Sequence, residues 1–272
     1  MKIGIFDSGI GGLSVLHEAY HLLPNENYIF YADTEHVPYG TKTAEQIRGY
    51  AVEIAKFLIG MDVEAIVVAC NTATSVAIQE LRCTFDIPIL GMEPAVKPAV
   101  EGTDTKRIMV MATPVTIRED KLKDLLHRVD GDHRVDLLAM PQLVEFAERE
   151  EFDSPAVREY IARSLEPYDT DNYSALVLGC THFNYFKPAL SEAFGKRVHL
   201  VDGNRGTVTH LADVLALAIN QDTEIITEEK HNILCLRNTK YFFSGKEVTE
   251  ENDLNRLQRL HLRLEEVRNI KA

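Results

Sequence analysis

One short pattern occurs twice in this chain, as AIVVACNTA at residues 65–73 and again as ALVLGCTHF at residues 175–183. Each copy is an apolar run that ends in a cysteine, Cys70 in the first copy and Cys180 in the second, and polar residues follow. Short runs that are apolar at successive positions are typical of strands buried on both faces of a parallel sheet. The repeat therefore predicts two equivalent buried strands with a cysteine at each carboxyl end.

Six more apolar runs surround this pair, and helical patterns separate them. The runs begin at residues 3, 28, 65 and 87 in the first half and at 108, 135, 175 and 198 in the second. The gaps are thus 25, 37 and 22 residues against 27, 40 and 23. Matching gaps and matching cysteines indicate an internal duplication. We predict an α/β fold of two similar domains with mostly parallel central sheets and a site in the crevice between them.

Other segments predict further elements of this fold. Residues 43–61 carry apolar side chains at three- and four-residue spacing, which predicts an amphipathic helix. The stretch from about residue 222 onward is more polar. Within it, YFFSG (241–245) predicts a strand, the leucines of 254–260 predict a helix, and HLRLEEVRNI (261–270) fits either. We assign this tail to packing rather than to chemistry.

Composition excludes several classes of partner. Of the 272 residues 45% are hydrophobic and 26% charged, and the net charge of −13 disfavours a nucleic-acid or anionic-membrane partner. No run reaches the roughly 18 apolar residues of a membrane span, and MKIGIFDSGIGG at the start is not a signal peptide. The four cysteines form no C-x-x-C pair, which indicates reduced thiols. We therefore expect a cytoplasmic protein.

Polar side chains stand where several predicted strands end. Asp7 follows the first run, Cys70 the third, and Cys180 and His182 the seventh. Ligands of open α/β sheets bind beyond the carboxyl ends of the strands. If the two units face each other, these four residues line one crevice, which is the predicted active site. Cys83 and Cys235 lack such a context, and we assign both to packing.

Two thiols on opposite sides of one carbon can invert it. One thiol, as thiolate, removes the α-proton of an amino acid from one face, while the other returns a proton to the opposite face. A free thiol has a pKa of about 8.5 and needs help to ionise at neutral pH. Asp7 and His182 are the candidate helpers, because His182 lies two residues after Cys180 and so points to the same side of an extended strand end.

Other chemistries stay open on the residues alone. A cysteine hydrolase could combine Cys70 or Cys180 with His182 and Asp7, although it leaves one cysteine unexplained. The same four residues could ligate zinc, although the close ligand pairs of structural zinc are missing. The loop DSGIGG (7–12) lacks full G-x-G-x-x-G spacing, so its glycines predict a close approach to a small ligand rather than a nucleotide site. No lysine stands out for pyridoxal phosphate. We predict neither cofactor nor metal in this site.

Five motifs of this chain occur together in one known family. They are GIFDSGIGGLSVL (4–16), VPYGTK (37–42), ACNTAT (69–74), ATPVTI (112–117) and LVLGCTH (176–182). On these motifs the chain resembles the glutamate racemases of the aspartate/glutamate racemase family, from Lys2 to about Leu217. Aspartate racemases share the paired cysteines but usually have His and Glu where this chain has Thr74 and His182, which favours glutamate.

The resemblance implies a cofactor-independent interconversion of L- and D-glutamate that provides D-glutamate for peptidoglycan, with aspartate racemisation as the alternative. It implies that Cys70 and Cys180 are the two bases, assisted by Asp7 and His182 respectively. Glu148 matches a family glutamate near the active site, whereas Glu145 stands where the family usually has proline. The other positions implied to hold the substrate are Ser8, Tyr39, Gly40, Asn71, Thr72, Thr116 and Thr181.

The resemblance also implies interleaved domains. The first α/β racemase domain would comprise residues 1–95 plus 206–272, and the second residues 96–205. Homodimers are common in the family, so a homodimer is an assembly open to this chain beside its small-molecule substrate, glutamate.

Overall fold

The computed structural model describes residues 1–102, 106–221 and 238–270. All eight strands that the apolar runs predict are present. Those of the first half are β1 (Lys2–Asp7), β2 (Asn27–Ala32), β3 (Ala65–Val68) and β4 (Ile89–Gly91). Those of the second half are β5 (Arg107–Ala112), β6 (Val135–Ala139), β7 (Tyr173–Gly179) and β8 (His199–Val201).

Helices alternate with these strands. In the first half they are α1 (Leu13–Leu22), α2 (Ala44–Gly60), α3 (Asn71–Thr84) and α4 (Val96–Glu101). In the second half they are α5 (Pro114–Arg118), α6 (Asp120–Val129), α7 (Pro141–Glu148), α8 (Pro155–Leu165), α9 (Lys187–Ala193) and α10 (Asn204–Leu215). The predicted helix at 43–61 is confirmed as α2, which begins at a capping box between Thr43 and Gln46.

The C-terminal stretch adds strands β9 (Thr239–Phe243) and β10 (Lys246–Glu247) and the helix α11 (Glu251–Arg268). The predicted strand near 241–245 is thus confirmed, and the segment 261–270 is helical through Arg268. β9 lies parallel to β2, and β10 pairs antiparallel with β9. The tail therefore extends the first sheet, while the exact domain boundaries stay a prediction.

The strands form two sheets with one shared strand order. The six-stranded sheet runs β10-β9-β2-β1-β3-β4, and the four-stranded sheet runs β6-β5-β7-β8. The segments β2-β1-β3-β4 and β6-β5-β7-β8 correspond strand for strand, and every pair within them is parallel. The predicted fold class, two similar α/β units, is confirmed.

Burial explains why the central strands read as continuous apolar runs. All four residues of β3 are buried, and so are six of the seven in β7. A parallel sheet with helices on both faces leaves no solvated side, so neither face selects polar residues. Among the described residues, no helix combines the length and apolarity needed to cross a membrane.

Candidate active site

The two cysteines lie at equivalent strand ends. Cys70 follows β3 and is the N-cap residue of α3, where its sulfur accepts a hydrogen bond from the Ala73 N–H at 3.4 Å. Cys180 follows β7 and precedes a 3-10 turn at Thr181–Phe186. The thiols are buried, at 5% and 6% exposure. Each unit thus presents one sulfur at the carboxyl edge of its sheet, in matching positions.

A carboxylate lies close to Cys70. The Cys70 thiol donates to Ser8 Oγ at 3.6 Å, and Ser8 Oγ donates in turn to Asp7 Oδ1 at 3.3 Å. Burial raises the pKa of the Asp7 carboxyl. Burial first, and the charge of Asp7 next, raise the pKa of the Cys70 thiol to about 12. The charge of Asp7 thus favours the thiol form of Cys70, whereas the sequence predicts Asp7 as a group that helps this thiol to ionise.

Cys180 has an ion pair beside it instead. His182 Nδ1 lies 3.8 Å from Cys180 Sγ, and His182 Nε2 lies 2.8 Å from Glu148 Oε1. Burial by itself lowers the pKa of His182, but its hydrogen bonds to Cys180 and Glu148 outweigh burial and raise that pKa well above its usual value. Burial likewise opposes ionisation of Glu148, yet the bond to His182 lowers its pKa. The arrangement favours an imidazolium next to the Cys180 sulfur.

The glycine-rich loop after β1 packs directly against this ion pair. The Ile10 N–H donates to Glu148 Oε1 at 2.9 Å. A Cβ atom on Gly9 would overlap Glu148, and a Cβ on Gly11 would overlap His182. The glycines that predict close approach of a small ligand thus also make room for two side chains of the second unit, Glu148 and His182.

Hydroxyl groups join the two units across the crevice. Thr181 Oγ1 donates to Asp7 Oδ2 at 3.0 Å. Thr72 Oγ1 lies 2.8 Å from Thr113 Oγ1 and 3.3 Å from Thr116 Oγ1, and all three residues are buried. These contacts bring together residues from β1, α3, α5 and the turn after β7, so the strand ends of both sheets share one site.

Comparison with known proteins identifies the family. The family model for Asp/Glu/hydantoin racemases matches residues 14–211. This chain belongs to that racemase family. It is 46% identical to the glutamate racemase of Campylobacter curvus over the whole of both chains.

Solved racemase structures resemble the whole fold. The glutamate racemase of Campylobacter jejuni superposes with a TM-score of 0.74 at 27% identity, covering 96% of this chain and 97% of that one. Escherichia coli glutamate racemase, solved with L-glutamate and the activator UDP-MurNAc-Ala, gives a TM-score of 0.73 at 28% identity and covers 91% of this chain and 99% of its own. The likeness therefore includes both sheets.

Three more residues proposed from the resemblance lie around the racemase site with partners of their own. The Tyr39 hydroxyl donates to Asp33 Oδ2 at 2.6 Å. Gly40 lies against the side chain of Thr113. The Asn71 amide donates to the carbonyl of Met92 at 3.2 Å. The polar side chains of Tyr39 and Asn71 are thus held by hydrogen bonds within the protein.

Sequence reasoning missed two residues that support the site. Asp33, which holds Tyr39, directly follows β2, so the same strand-end argument could have found it. Arg256 lies in α11 and donates through Nη2 to the Glu148 carbonyl at 2.7 Å and through Nε to Glu150 Oε1 at 3.1 Å. The tail was assigned to packing alone, and this contact corrects that assignment. No local pattern marks Arg256, because only the fold brings it to Glu148.

The remaining candidates lie away from the crevice or outside the description. Glu145 is on the same helix as Glu148 but is exposed, so Glu148 is the residue that contacts His182. Cys83 is exposed near the end of α3. Cys235 lies outside the described residues.

Proposed function

We propose that this protein interconverts L- and D-glutamate without a cofactor, with Cys70 and Cys180 as opposed acid and base. The observation that carries the proposal is the placement of two buried thiols at matching strand ends of two like-ordered sheets. A pseudo-symmetric pair suits a reaction whose substrate and product are mirror images. The relatives and the solved structures named above are glutamate racemases, which supports glutamate as the substrate.

The two sulfurs would start from different protonation states. The His182 imidazolium, whose Nδ1 lies 3.8 Å from the Cys180 sulfur, would stabilise negative charge there, while burial and the charge of Asp7 raise the pKa of the Cys70 thiol. For the enantiomer whose α-hydrogen faces Cys180, the Cys180 thiolate takes that proton and the Cys70 thiol gives its own proton to the opposite face. The enzyme then holds a Cys180 thiol and a Cys70 thiolate, which is the state that the other enantiomer requires.

Asp7 would serve the reverse direction. Before Cys70 can act as base it must lose its proton, and the path through Ser8 Oγ leads to Asp7 Oδ1. Because burial raises the pKa of Asp7, its carboxylate is a better proton acceptor than an exposed one. We therefore assign Asp7 to proton exchange at Cys70 and Glu148 to positioning His182 rather than to contact with the substrate.

Neutral donors would hold the two carboxylates and the amine of glutamate. Hydroxyl, amide and backbone N–H groups bind carboxylates without placing a cation beside each thiol. The residues proposed for this task are Ser8, Tyr39, Gly40, Asn71, Thr72, Thr116 and Thr181. The Thr72–Thr113–Thr116 cluster would exchange its mutual hydrogen bonds for bonds to the ligand.

The test is to incubate the purified protein with L-glutamate in D2O without added cofactor. Optical rotation should decay to zero, and D-glutamate should carry deuterium at its α-carbon, because the returned proton comes from a solvent-exchanged thiol. L-Aspartate is the parallel substrate, and the variant Cys83→Ser is the control for thiols outside the site. Unchanged rotation of glutamate, or faster racemisation of aspartate, would contradict the proposal.

The biological setting is part of the same proposal. Two reduced active-site thiols require a reducing compartment such as the cytoplasm, and D-glutamate is a building block of peptidoglycan. Rescue of a bacterial strain that needs D-glutamate for growth tests this role. A homodimer is the proposed assembly, and light scattering of the purified chain measures it.

A further inference from the structure

A second buried polar cluster lies between α1 and α11, apart from the candidate active site. It consists of His17 and His21 on α1 and of His261 and Glu265 on α11. Residues four apart lie on one face of a helix, so two such faces meet here. His17, His21 and His261 are 3%, 4% and 0% exposed. Three buried histidines beside a carboxylate are unusual in a helix interface, since apolar side chains normally fill it.

Three of the donor atoms converge on one point. His17 Nε2 and His21 Nε2 each lie 2.8 Å from the same oxygen, Glu265 Oε2. In the part of the chain that the structure describes, His17, His21 and Glu265 form a group of possible metal ligands. Each offers one donor atom, and these three atoms all lie within 4.8 Å of one another. Ligands of a tetrahedral metal ion at bond lengths of about 2.0–2.1 Å lie roughly 3.3 Å apart. A small withdrawal of the Glu265 carboxylate, which is 17% exposed, would therefore make room for an ion.

A second layer of hydrogen bonds supports His17. Its other ring nitrogen, Nδ1, lies 3.3 Å from His261 Nδ1, and His261 Nε2 lies 3.4 Å from the Tyr241 hydroxyl. The Tyr241 hydroxyl in turn lies 2.7 Å from that of Tyr20. If His17 Nε2 binds an ion, His17 Nδ1–H donates to His261 Nδ1. His261 Nε2–H then donates to the Tyr241 hydroxyl, which donates to the Tyr20 hydroxyl. Such outer partners orient metal-binding histidines and select their tautomer.

We propose that His17, His21 and Glu265 bind one divalent transition-metal ion. Two imidazoles and one carboxylate suit Zn²⁺, and the fourth position would take a water molecule. His17 also lines a cavity of about 440 Å³, so one side of the cluster borders open space. The ion would tie α1 to α11 and so act on stability. This site is independent of the proposed function, because it shares no ligand with the crevice.

Cobalt serves as the spectroscopic probe for the full-length chain, with any histidine tag removed and metal stripped by a chelator that is then dialysed away. We expect one equivalent of Co²⁺ to produce visible d–d bands without the near-ultraviolet charge-transfer band of a cobalt–thiolate bond. Zn²⁺ should displace it at one equivalent and raise the melting temperature. Failure to bind stoichiometrically, or a thiolate band that places the ion on cysteines, would overturn the assignment.

Matched variants locate the ion. Glu265→Gln keeps the size of the side chain but removes the anionic ligand, and His21→Ala removes an imidazole. Each should weaken Co²⁺ binding by about 100-fold or more, since even outer-shell changes cost about 10- to 100-fold. His127→Ala changes an exposed histidine of α6 and should leave the affinity unchanged. Equal affinity in the wild type and both cluster variants would refute the site. The wild-type titration stays decisive if a variant fails to fold.

Discussion

The two units of this protein share one strand order but place different ionisable groups beside their cysteines. Beside Cys70 the first unit places the Asp7 carboxyl, which together with burial holds the thiol protonated. Beside Cys180 the second unit places the His182–Glu148 pair, with the histidine nearer to the sulfur. Duplication of a fold therefore accounts for the matching positions of the two cysteines, while a few side chains that differ between the units give the two sulfurs different ionisable neighbours.

The largest expected effect comes from removing either sulfur. Cys70→Ser and Cys180→Ser should each lower racemisation by about 1000-fold or more, since general acid–base catalysis contributes about 10²- to 10⁴-fold and a serine hydroxyl is a far weaker acid. Polarimetry measures this loss, with Cys83→Ser as the exposed control.

The same two variants also show which cysteine acts on which face of the substrate α-carbon. Each should still exchange the α-hydrogen of one enantiomer with D2O, and the enantiomer should differ between the two variants. Near-wild-type racemisation by either variant, or exchange of the same enantiomer by both, would break the assignment of one sulfur to each face.

Removal of the imidazolium is the next largest change. His182→Ala should lower kcat/KM by about 100-fold. Because the equilibrium constant is fixed, kcat/KM must fall by the same factor for both enantiomers. An unequal role of His182 at the two sulfurs must therefore be tested by isotope effects. The primary deuterium isotope effect should rise for the enantiomer whose α-hydrogen faces Cys180, because that proton transfer becomes slower, and it should fall for the other. Isotope effects that change equally in both directions would show that His182 serves both sulfurs.

A single methyl group added at Gly11 tests how the glycine-rich loop after β1 supports His182 beside Cys180. The Cβ of Gly11→Ala would overlap His182, so the ring must move from Cys180 or the loop must shift. We expect a stability loss of about 1–3 kcal/mol in chemical denaturation, and a larger loss of activity than of affinity. Gly49→Ala is the matched control, because an added Cβ in that exposed part of α2 has no neighbour within 4 Å. A fully active Gly11→Ala variant would contradict the packing.

Local patterns predicted the parts of this structure that depend on local physics. Strands β3 and β7 are buried on both faces, so their apolar runs and terminal cysteines are visible in a single sequence. The contacts of Arg256 with Glu148, and of His17 with Glu265, join residues more than 100 positions apart. Such pairs depend on how complete elements pack, and no periodicity encodes them. The different ionisable neighbours of the two cysteines likewise depend on the folded arrangement of distant segments.

The smallest expected effect comes from neutralising Glu148, and it concerns pH rather than the maximal rate. Glu148→Gln keeps a hydrogen-bond acceptor for His182 but removes the charge that helps to raise the pKa of that histidine. The imidazolium should then be lost at a lower pH, which moves the alkaline limb of the kcat/KM profile to lower pH and costs about tenfold at its alkaline end.

Glu148→Gln should also alter how the stability of the protein depends on pH. A histidine whose pKa is raised by folding stabilises the protein fully below its unfolded pKa, about 6.5, and this contribution disappears as the pH rises through the higher folded value. The free energy of unfolding of the wild type should therefore fall as the pH rises through that value, and that of Glu148→Gln should fall by less. Glu145→Gln, an exposed change on the same helix, is the control. If the alkaline limb of Glu148→Gln is unshifted, Cys180 rather than Glu148 keeps His182 charged. His182 alone, and not the His182–Glu148 pair, would then distinguish the surroundings of Cys180 from those of Cys70.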